Sequence, residues 1–174
     1  MIIVWLFLAI LVIAFLGVIV VGSPYVPSRS RDLKQALGRL YPLSESDMLV
    51  DLGAGDGIVL RTAAAFGARA YGIELNPFLV LIAKVLNRNN PLVTIRFGNL
   101  RSMKLPPDVT VVYTFPNTKD IASLTRKLLT ESARLNRNFH LISYGSTFPD
   151  LALEKKEGAH LLYKVTSQKN TLTV

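Results

Sequence analysis

The run Asp51-Leu52-Gly53-Ala54-Gly55-Asp56-Gly57 sets three glycines at alternate positions, with acids at 51 and 56. Glycines so spaced let a backbone turn sharply and approach a ligand closely, and a helix N-terminus just behind them would offer free amides. Glu74 stands 17 residues beyond Gly57. An acid at that distance, at the end of the next strand, can accept hydrogen bonds from the vicinal hydroxyls of a ribose. The ordinary roles of such residues are helix capping for Asp51 and Asp56 and a solvated strand end for Glu74. Their co-occurrence at this spacing favours a nucleoside ligand.

The acid two residues before the first glycine narrows the choice. A dinucleotide fingerprint is G-x-G-x-x-G without that acid, and its last position is here Ile58. A carboxylate would repel a pyrophosphate but suits a cationic amino-acid moiety, so the pattern favours S-adenosylmethionine over a nicotinamide or flavin dinucleotide. Asn99, just past Gly98, is a candidate partner for the adenine amino group, its simpler role being a turn residue.

These residues need a frame. Met48–Leu52 is a short apolar run of the buried parallel-strand kind, followed by a helix over Ile58–Phe66 ending at Gly67. Ala70–Glu74 is a second strand, and Pro77 opens a helix over Phe78–Leu86. Strands over Val93–Phe97 and Val109–Phe115 follow, then an amphipathic helix over Lys119–Leu135 and a strand over Phe139–Tyr144. Leu151–Glu157 and His160–Val165 around Gly158 form an antiparallel hairpin. This order predicts an α/β fold: a Rossmann-like, open, mostly parallel sheet with an antiparallel C-terminal hairpin. The Gly98–Asp108 connection is short and holds Pro106-Pro107, which predicts that the helix expected there is missing. Ahead of all this, Leu33, Leu37 and Leu40 mark a short amphipathic helix stopped by Pro42.

The chain has 174 residues, half of them apolar, and a mean hydropathy of +0.35. The excess sits at the start, where residues 1–21 are apolar except for Gly17 and carry no charged side chain. Twenty such residues span about 30 Å as a helix, the thickness of a bilayer core. The segment has no polar stripe, unlike a core helix, and no basic residue precedes it, unlike a signal peptide. The expected layout is a transmembrane anchor over 1–22, a linker over 23–28 with two prolines, and a domain over 29–174. Arg29, Arg31, Lys34 and Arg39 follow the segment and place the domain on the cytoplasmic side, where they can face anionic lipid. The net charge of +8 also admits nucleic acid, but the cations are scattered without a dense run. The absence of cysteine and the presence of only two histidines exclude thiol catalysis and disfavour a metal site.

The Asp51–Gly57 loop, Glu74 and the terminal hairpin resemble the class I, seven-strand S-adenosylmethionine-dependent methyltransferases. The resemblance implies that the cofactor is held by Asp51, Gly53, Ala54, Gly55, Gly57, Glu74, Leu75, Asn76, Asn99 and Leu100. More narrowly, Pro24–Ser28 (PYVPS), Val50–Gly57 (VDLGAGDG) and Ala65–Val85 (AFGARAYGIELNPFLVLIAKV) are similar to a family of membrane-anchored protein-lysine methyltransferases. Its animal members modify the adenine nucleotide translocase and the ATP synthase c-subunit. Tyr113-Thr114-Phe115-Pro116 and Ser143-Tyr144-Gly145 with Phe148-Pro149 look like its fourth- and fifth-strand ends. Asn99, where that family commonly has an acid, and Ile58-Val59 at the helix start depart from its pattern. The resemblance implies a membrane-associated protein substrate and, in a eukaryote, the mitochondrial inner membrane.

The acceptor site is then expected at the C-terminal ends of strands four and five, lined by Tyr113, Phe115, Pro116 and Tyr144, although aromatic residues in strands are usually core. No residue identifies itself as a general base. Thr114-Phe115-Pro116-Asn117 lacks the Asn/Asp-Pro-Pro-aromatic motif of enzymes that methylate adenine or glutamine, which disfavours a nucleic-acid base as acceptor. A lipid or quinone-like acceptor, or a non-catalytic cofactor-binding module on an anchor, are the other readings.

Overall fold

The computed structural model describes residues 1–6 and 30–166. Residues 2–6 are helical, and among the described residues no helix is long and apolar enough to cross a membrane. The expected anchor and linker fall almost wholly on residues 7–28, outside the described residues.

Among the described residues seven strands make one sheet: β1 (Met48–Leu52), β2 (Arg69–Glu74), β3 (Val93–Phe97), β4 (Val111–Thr114), β5 (Phe139–Tyr144), β6 (Ala152–Glu157) and β7 (His160–Val165). Their order is β3-β2-β1-β4-β5-β7-β6. β1 to β5 run parallel, and β7 joins β5 antiparallel with β6 folded back on it. The register between β6 and β7 shifts at Leu153/Lys155, a bulge in the outermost strand.

Among the described residues four α-helices accompany the sheet: α1 (Ser30–Gln35), α2 (Ile58–Ala65), α3 (Pro77–Leu86) and α4 (Ile121–Leu135). α1 runs into a wider π turn over Ala36–Leu40 and stops before Pro42, as a residue without an amide hydrogen requires. Asn76 caps α3, its side-chain oxygen accepting from the amides of Phe78 and Leu79, with Pro77 in the first turn. α4 ends where Asn136 turns left-handed, at φ 48°.

Side chains alternate across each strand, so the two faces hold two cores. Leu49, Val111, Tyr113, Ile142 and Leu162 pack on one face with Leu33 and Leu37 of the first helical segment, Leu60 and Ala63 of α2 and Val80 and Ala83 of α3. Val50, Leu52, Val112, Leu141 and Tyr163 pack on the other with Leu124 and Leu128 of α4. β4 is shorter than the apolar run suggested: the Val109 amide turns back to the Pro106 carbonyl, and Phe115 has already left the ladder.

No helix joins β3 to β4. The connection instead drops Leu105 into the α4 core and is held by one carboxylate. Glu131 of α4 is buried, and its Oε2 accepts from the Leu105 amide at 2.6 Å and from Arg134 Nη2 at 2.7 Å. Arg134 Nη2 also donates to the Leu105 carbonyl at 2.8 Å, and Lys127 Nζ lies 3.6 Å from Glu131 Oε1. Burial raises the Glu131 pKa, but Arg134, the Leu105 amide and Lys127 outweigh it and hold the carboxyl below its ordinary 4.5. Glu131→Ala, which strands the Arg134 and Leu105 donors, should cost about 3 kcal/mol in denaturant unfolding. Because the folded carboxyl is the stronger acid, this contribution is full above pH 4.5 and disappears as the pH falls through the lower folded value. The gap between wild type and Glu131→Gln should therefore close on acidification.

Candidate active site

The C-terminal ends of β1, β2 and β4 meet where the strand order reverses, since β1 lies between β2 and β4. Such a switch point opens a crevice outside the sheet. The Asp51–Gly57 loop occupies its centre. Gly53, Gly55 and Gly57 have φ of 95°, 55° and 80°, left-handed values that side chains resist. Gly57 opens α2, and the Asp56 carboxylate accepts from the Ile58 amide at 3.1 Å while pairing with Arg61 at 3.0 Å.

The loop is tied down along β2. The amides of Gly53 and Ala54 both donate to the Ile73 carbonyl, at 2.9 and 3.1 Å. Glu74, only 9% exposed, accepts from the Gly55 amide at 2.9 Å on one carboxylate oxygen and from the Asn76 amide at 2.8 Å on the other. A carboxylate offers about four acceptor sites, so two remain after these bonds. A Cβ added to Gly53 would meet nothing within 4 Å, leaving open space over the loop.

Asp51, paired in register with Gly72 and Tyr113, is 2% exposed. None of the ion pairs among the described residues includes it. Burial, then the nearby charges of Glu74 and Asp56, push its pKa well above the ordinary 3.8. Three carboxylates thus converge on one loop, with Arg61 drawn to Asp56 alone, so the crevice favours a cationic group.

Beyond β2, Leu75 is exposed and Asn76 uses its side chain to cap α3. Asn99 lies after β3 and is exposed, and its side-chain oxygen accepts from the Arg101 amide at 2.9 Å, a turn role. Leu100 packs partly into the α4-side core.

On the other flank the four expected acceptor-site residues divide. Phe115 is exposed beyond β4 and stacks edge-on against half-buried Tyr144, with ring centroids 5.2 Å apart. Pro116 follows, its carbonyl accepting from Ser146 Oγ at 3.2 Å. Tyr113 instead points into the core, its hydroxyl 3.1 Å from His160 Nε2. His160 also lies edge-on to Tyr144 at 4.8 Å. Burial holds the His160 pKa below its ordinary 6.5 against the pull of Asp32 and Glu157, so the ring is neutral at pH 7. His160 does not stand out in the sequence: as the first residue of a hairpin strand it bears no local mark of lying beneath this pair.

Gly72 is equally quiet there, although a glycine inside a strand is a known sign of close backbone approach. A Cβ at this position would come within 2.6 Å of Leu60 Cδ1 and 2.8 Å of Ala54 Cβ.

Known proteins resemble this chain in sequence and in fold. The methyltransferase domain family matches residues 50–138. The lysine N-methyltransferase of the ATP synthase c-subunit from Xenopus laevis is 44% identical over 57 residues, covering 33% of this chain and 24% of that protein. Its Rattus norvegicus counterpart is 42% identical over 57 residues, with 33% and 26% covered. The matched stretch is about a quarter of the length of these relatives. Among solved structures, an RNA methyltransferase from Salinibacter ruber in complex with S-adenosyl-L-homocysteine superposes with a TM-score of 0.71 at 26% identity, covering 81% of this chain and 94% of that one. Geranyl diphosphate methyltransferase in complex with SAM, with a TM-score of 0.53, 19% identity and 66% and 48% covered, shares the fold.

The close approach at Gly72 yields a direct test. Gly72→Ala forces the Ala54 turn away from β2, because Ala54 Cβ cannot yield without its backbone. Denaturant unfolding should show a loss of about 1–3 kcal/mol, the usual cost of overpacking. Amide exchange at Gly53 and Gly55 should quicken more than exchange in β5.

Proposed function

The chain belongs to the methyltransferase domain family, and from that premise we propose that it transfers methyl groups from S-adenosylmethionine to a lysine of a membrane protein while tethered to the same membrane. The observation that carries the cofactor reading is the glycine loop bonded to Glu74, with open space over Gly53 and a buried Asp51 in no ion pair beside it. S-adenosylmethionine supplies an activated methyl group on a sulfonium. In this reading Glu74 receives the ribose hydroxyls on its two remaining acceptor sites, and Gly53 and Gly55 let the ligand lie on the backbone. Asp51 faces the cationic amino-acid end. Leu75, Asn76, Asn99 and Leu100 would border the adenosine, Asn99 through its side-chain nitrogen or backbone, since its oxygen already serves the turn.

The similarity to lysine methyltransferases and the pairing of exposed Phe115 with half-buried Tyr144 support a lysine acceptor. Aromatic faces attract an ammonium or a methylated amine, while the neutral His160 behind them adds no opposing charge. A lysine must lose its proton before it can attack, and a water-poor aromatic wall favours the neutral amine. The chain's contribution is then alignment and exclusion of water, which can supply much of the rate. Residues 2–21, apolar and uncharged, support the tether, and confinement raises the effective concentration of a membrane substrate. An RNA acceptor is the second reading, favoured by the extent of the match to the Salinibacter ruber enzyme and by the net charge of +8.

Calorimetric titration of the detergent-solubilised chain with S-adenosylmethionine should show saturable binding that Glu74→Ala and Gly55→Val abolish. A cationic ligand favours ionised Asp51, so binding should expel a proton where Asp51 is protonated in the free protein. Affinity should therefore rise with pH through the raised Asp51 pKa and level off above it, and Asp51→Asn should flatten that dependence. Well-folded protein with no binding would sink the enzyme reading.

Labelled methyl transfer to native membranes should leave the label protease-sensitive and nuclease-resistant. Deleting residues 1–24 should leave cofactor affinity unchanged and slow labelling about tenfold or more, as expected when an encounter loses its tether. A nuclease-sensitive label would select the RNA acceptor.

A further inference from the structure

α3 is apolar on the wrong side. Val80 and Ala83 face the core, and Asn87 is buried just past the helix. On the opposite face Phe78, Leu81, Ile82, Val85 and Leu86 fall at the i, i+3, i+4, i+7, i+8 spacing of one helical stripe. All five are about half exposed or more, Leu81 reaching 62%. Exposed Leu75 and Phe97, the latter at 61% and paired with Glu74 across β2 and β3, carry the apolar surface to the strand ends. Seven such side chains on one helix face and the adjoining strand ends are more than a water-facing helix ordinarily shows, and apolar surface of this kind marks binding sites.

The charge around the patch says what binds there. From 75 to 107 the chain holds Lys84, Arg88, Arg96, Arg101 and Lys104 and no aspartate or glutamate. Lys84 and Arg88 are exposed beside the stripe. Of these cations Arg101 is paired with Asp120, while Lys84 and Arg88 form no ion pair among the described residues. An apolar stripe with such cations beside it complements the headgroup layer of an anionic bilayer, where the stripe sits among acyl chains and the cations meet lipid phosphates. Pairing with a second copy through this face would set the cationic surroundings of each stripe against the other's. We infer that the outward face of α3, with Leu75 and Phe97, seats the domain on an anionic membrane surface, holding the crevice beside Glu74 against the bilayer. The inference rests on the membrane-tethered reading for its setting and deepens it: an acceptor lysine would lie at the lipid–water boundary.

Trp5 is the only tryptophan of the chain, which makes the two ideas separable. The full chain is reconstituted in phosphatidylcholine–phosphatidylglycerol vesicles bearing acyl-brominated lipid, and tryptophan emission is read. Quenching of native Trp5 reports the anchor. Trp5→Phe/Leu81→Trp reports the α3 face, and Trp5→Phe/Lys155→Trp the far edge of the sheet. The Leu81→Trp emission should shift to the blue and be quenched, with both effects weakened in vesicles without phosphatidylglycerol, while Lys155→Trp stays unquenched. If Leu81→Trp fails to fold, Val85→Trp on the same stripe gives the same reading. Leu81→Trp emission no more quenched than Lys155→Trp while Trp5 is quenched would overturn the docking face and leave the anchor standing. A blue-shifted but unquenched emission, the mark of a stripe covered by protein, would overturn it too. Quenching of Leu81→Trp without quenching of Trp5 would establish the docking face and remove the anchor.

Discussion

Everything at the crevice depends on how closely the β1–α2 loop lies against β2. That approach is possible only because position 72 has no side chain, which lets Ala54 and Leu60 occupy the space where a Cβ would be. Once there, the loop gives up three amides to β2: two to the Ile73 carbonyl and one to Glu74. Glu74 in turn holds the Asn76 amide, so one carboxylate fixes both the glycine loop and the start of α3. Its remaining lone pairs are thereby held in one fixed position. The same crowding strips water from Asp51 and leaves it beside two other acids, a state that a proton or a cationic group relieves.

The opposite flank is built by different physics. Phe115 has left the ladder and is held by ring contacts instead of hydrogen bonds. Tyr144 meets it edge-on, His160 backs Tyr144, and the Tyr113 hydroxyl fixes His160 from within the core. Ser146 adds hydrogen bonds that join the β4 and β5 ends, through the Pro116 carbonyl and the Ser143 hydroxyl. A polar cradle at the end of β2 and an aromatic pair beyond β4 and β5 therefore flank β1 at the switch point.

Much of this is legible in the sequence, where local chemistry decides the structure. The apolar runs at Met48–Leu52, Val93–Phe97 and Phe139–Tyr144 become strands over the same residues, and Pro106-Pro107 excludes a helix between β3 and β4. The glycine loop and Glu74 announce themselves because positive φ and a strand-end acid leave marks in residue type. What is not legible depends on tertiary contact. Tyr113 and Phe115 look alike in sequence, two positions apart in one apolar run, yet the strand ends between them, so Tyr113 is core and Phe115 is surface. Glu131 reads as an ordinary helix charge until the connection folds down and gives it the Leu105 amide to hold. The outward face of α3 hides for a related reason: a helix apolar all round looks like a buried one.

β6 is an outer edge of the sheet, and an edge with free backbone groups invites another chain to add a strand. Here that edge carries Glu154, Lys155, Lys156 and Glu157, all at least partly solvent-facing, and is kinked by the register shift at Leu153/Lys155. Bulges and charges of this kind spoil the flat template that amyloid-type stacking needs. A neighbouring chain that meets this irregular border finds little to pair with, so a chance encounter ends without a shared strand.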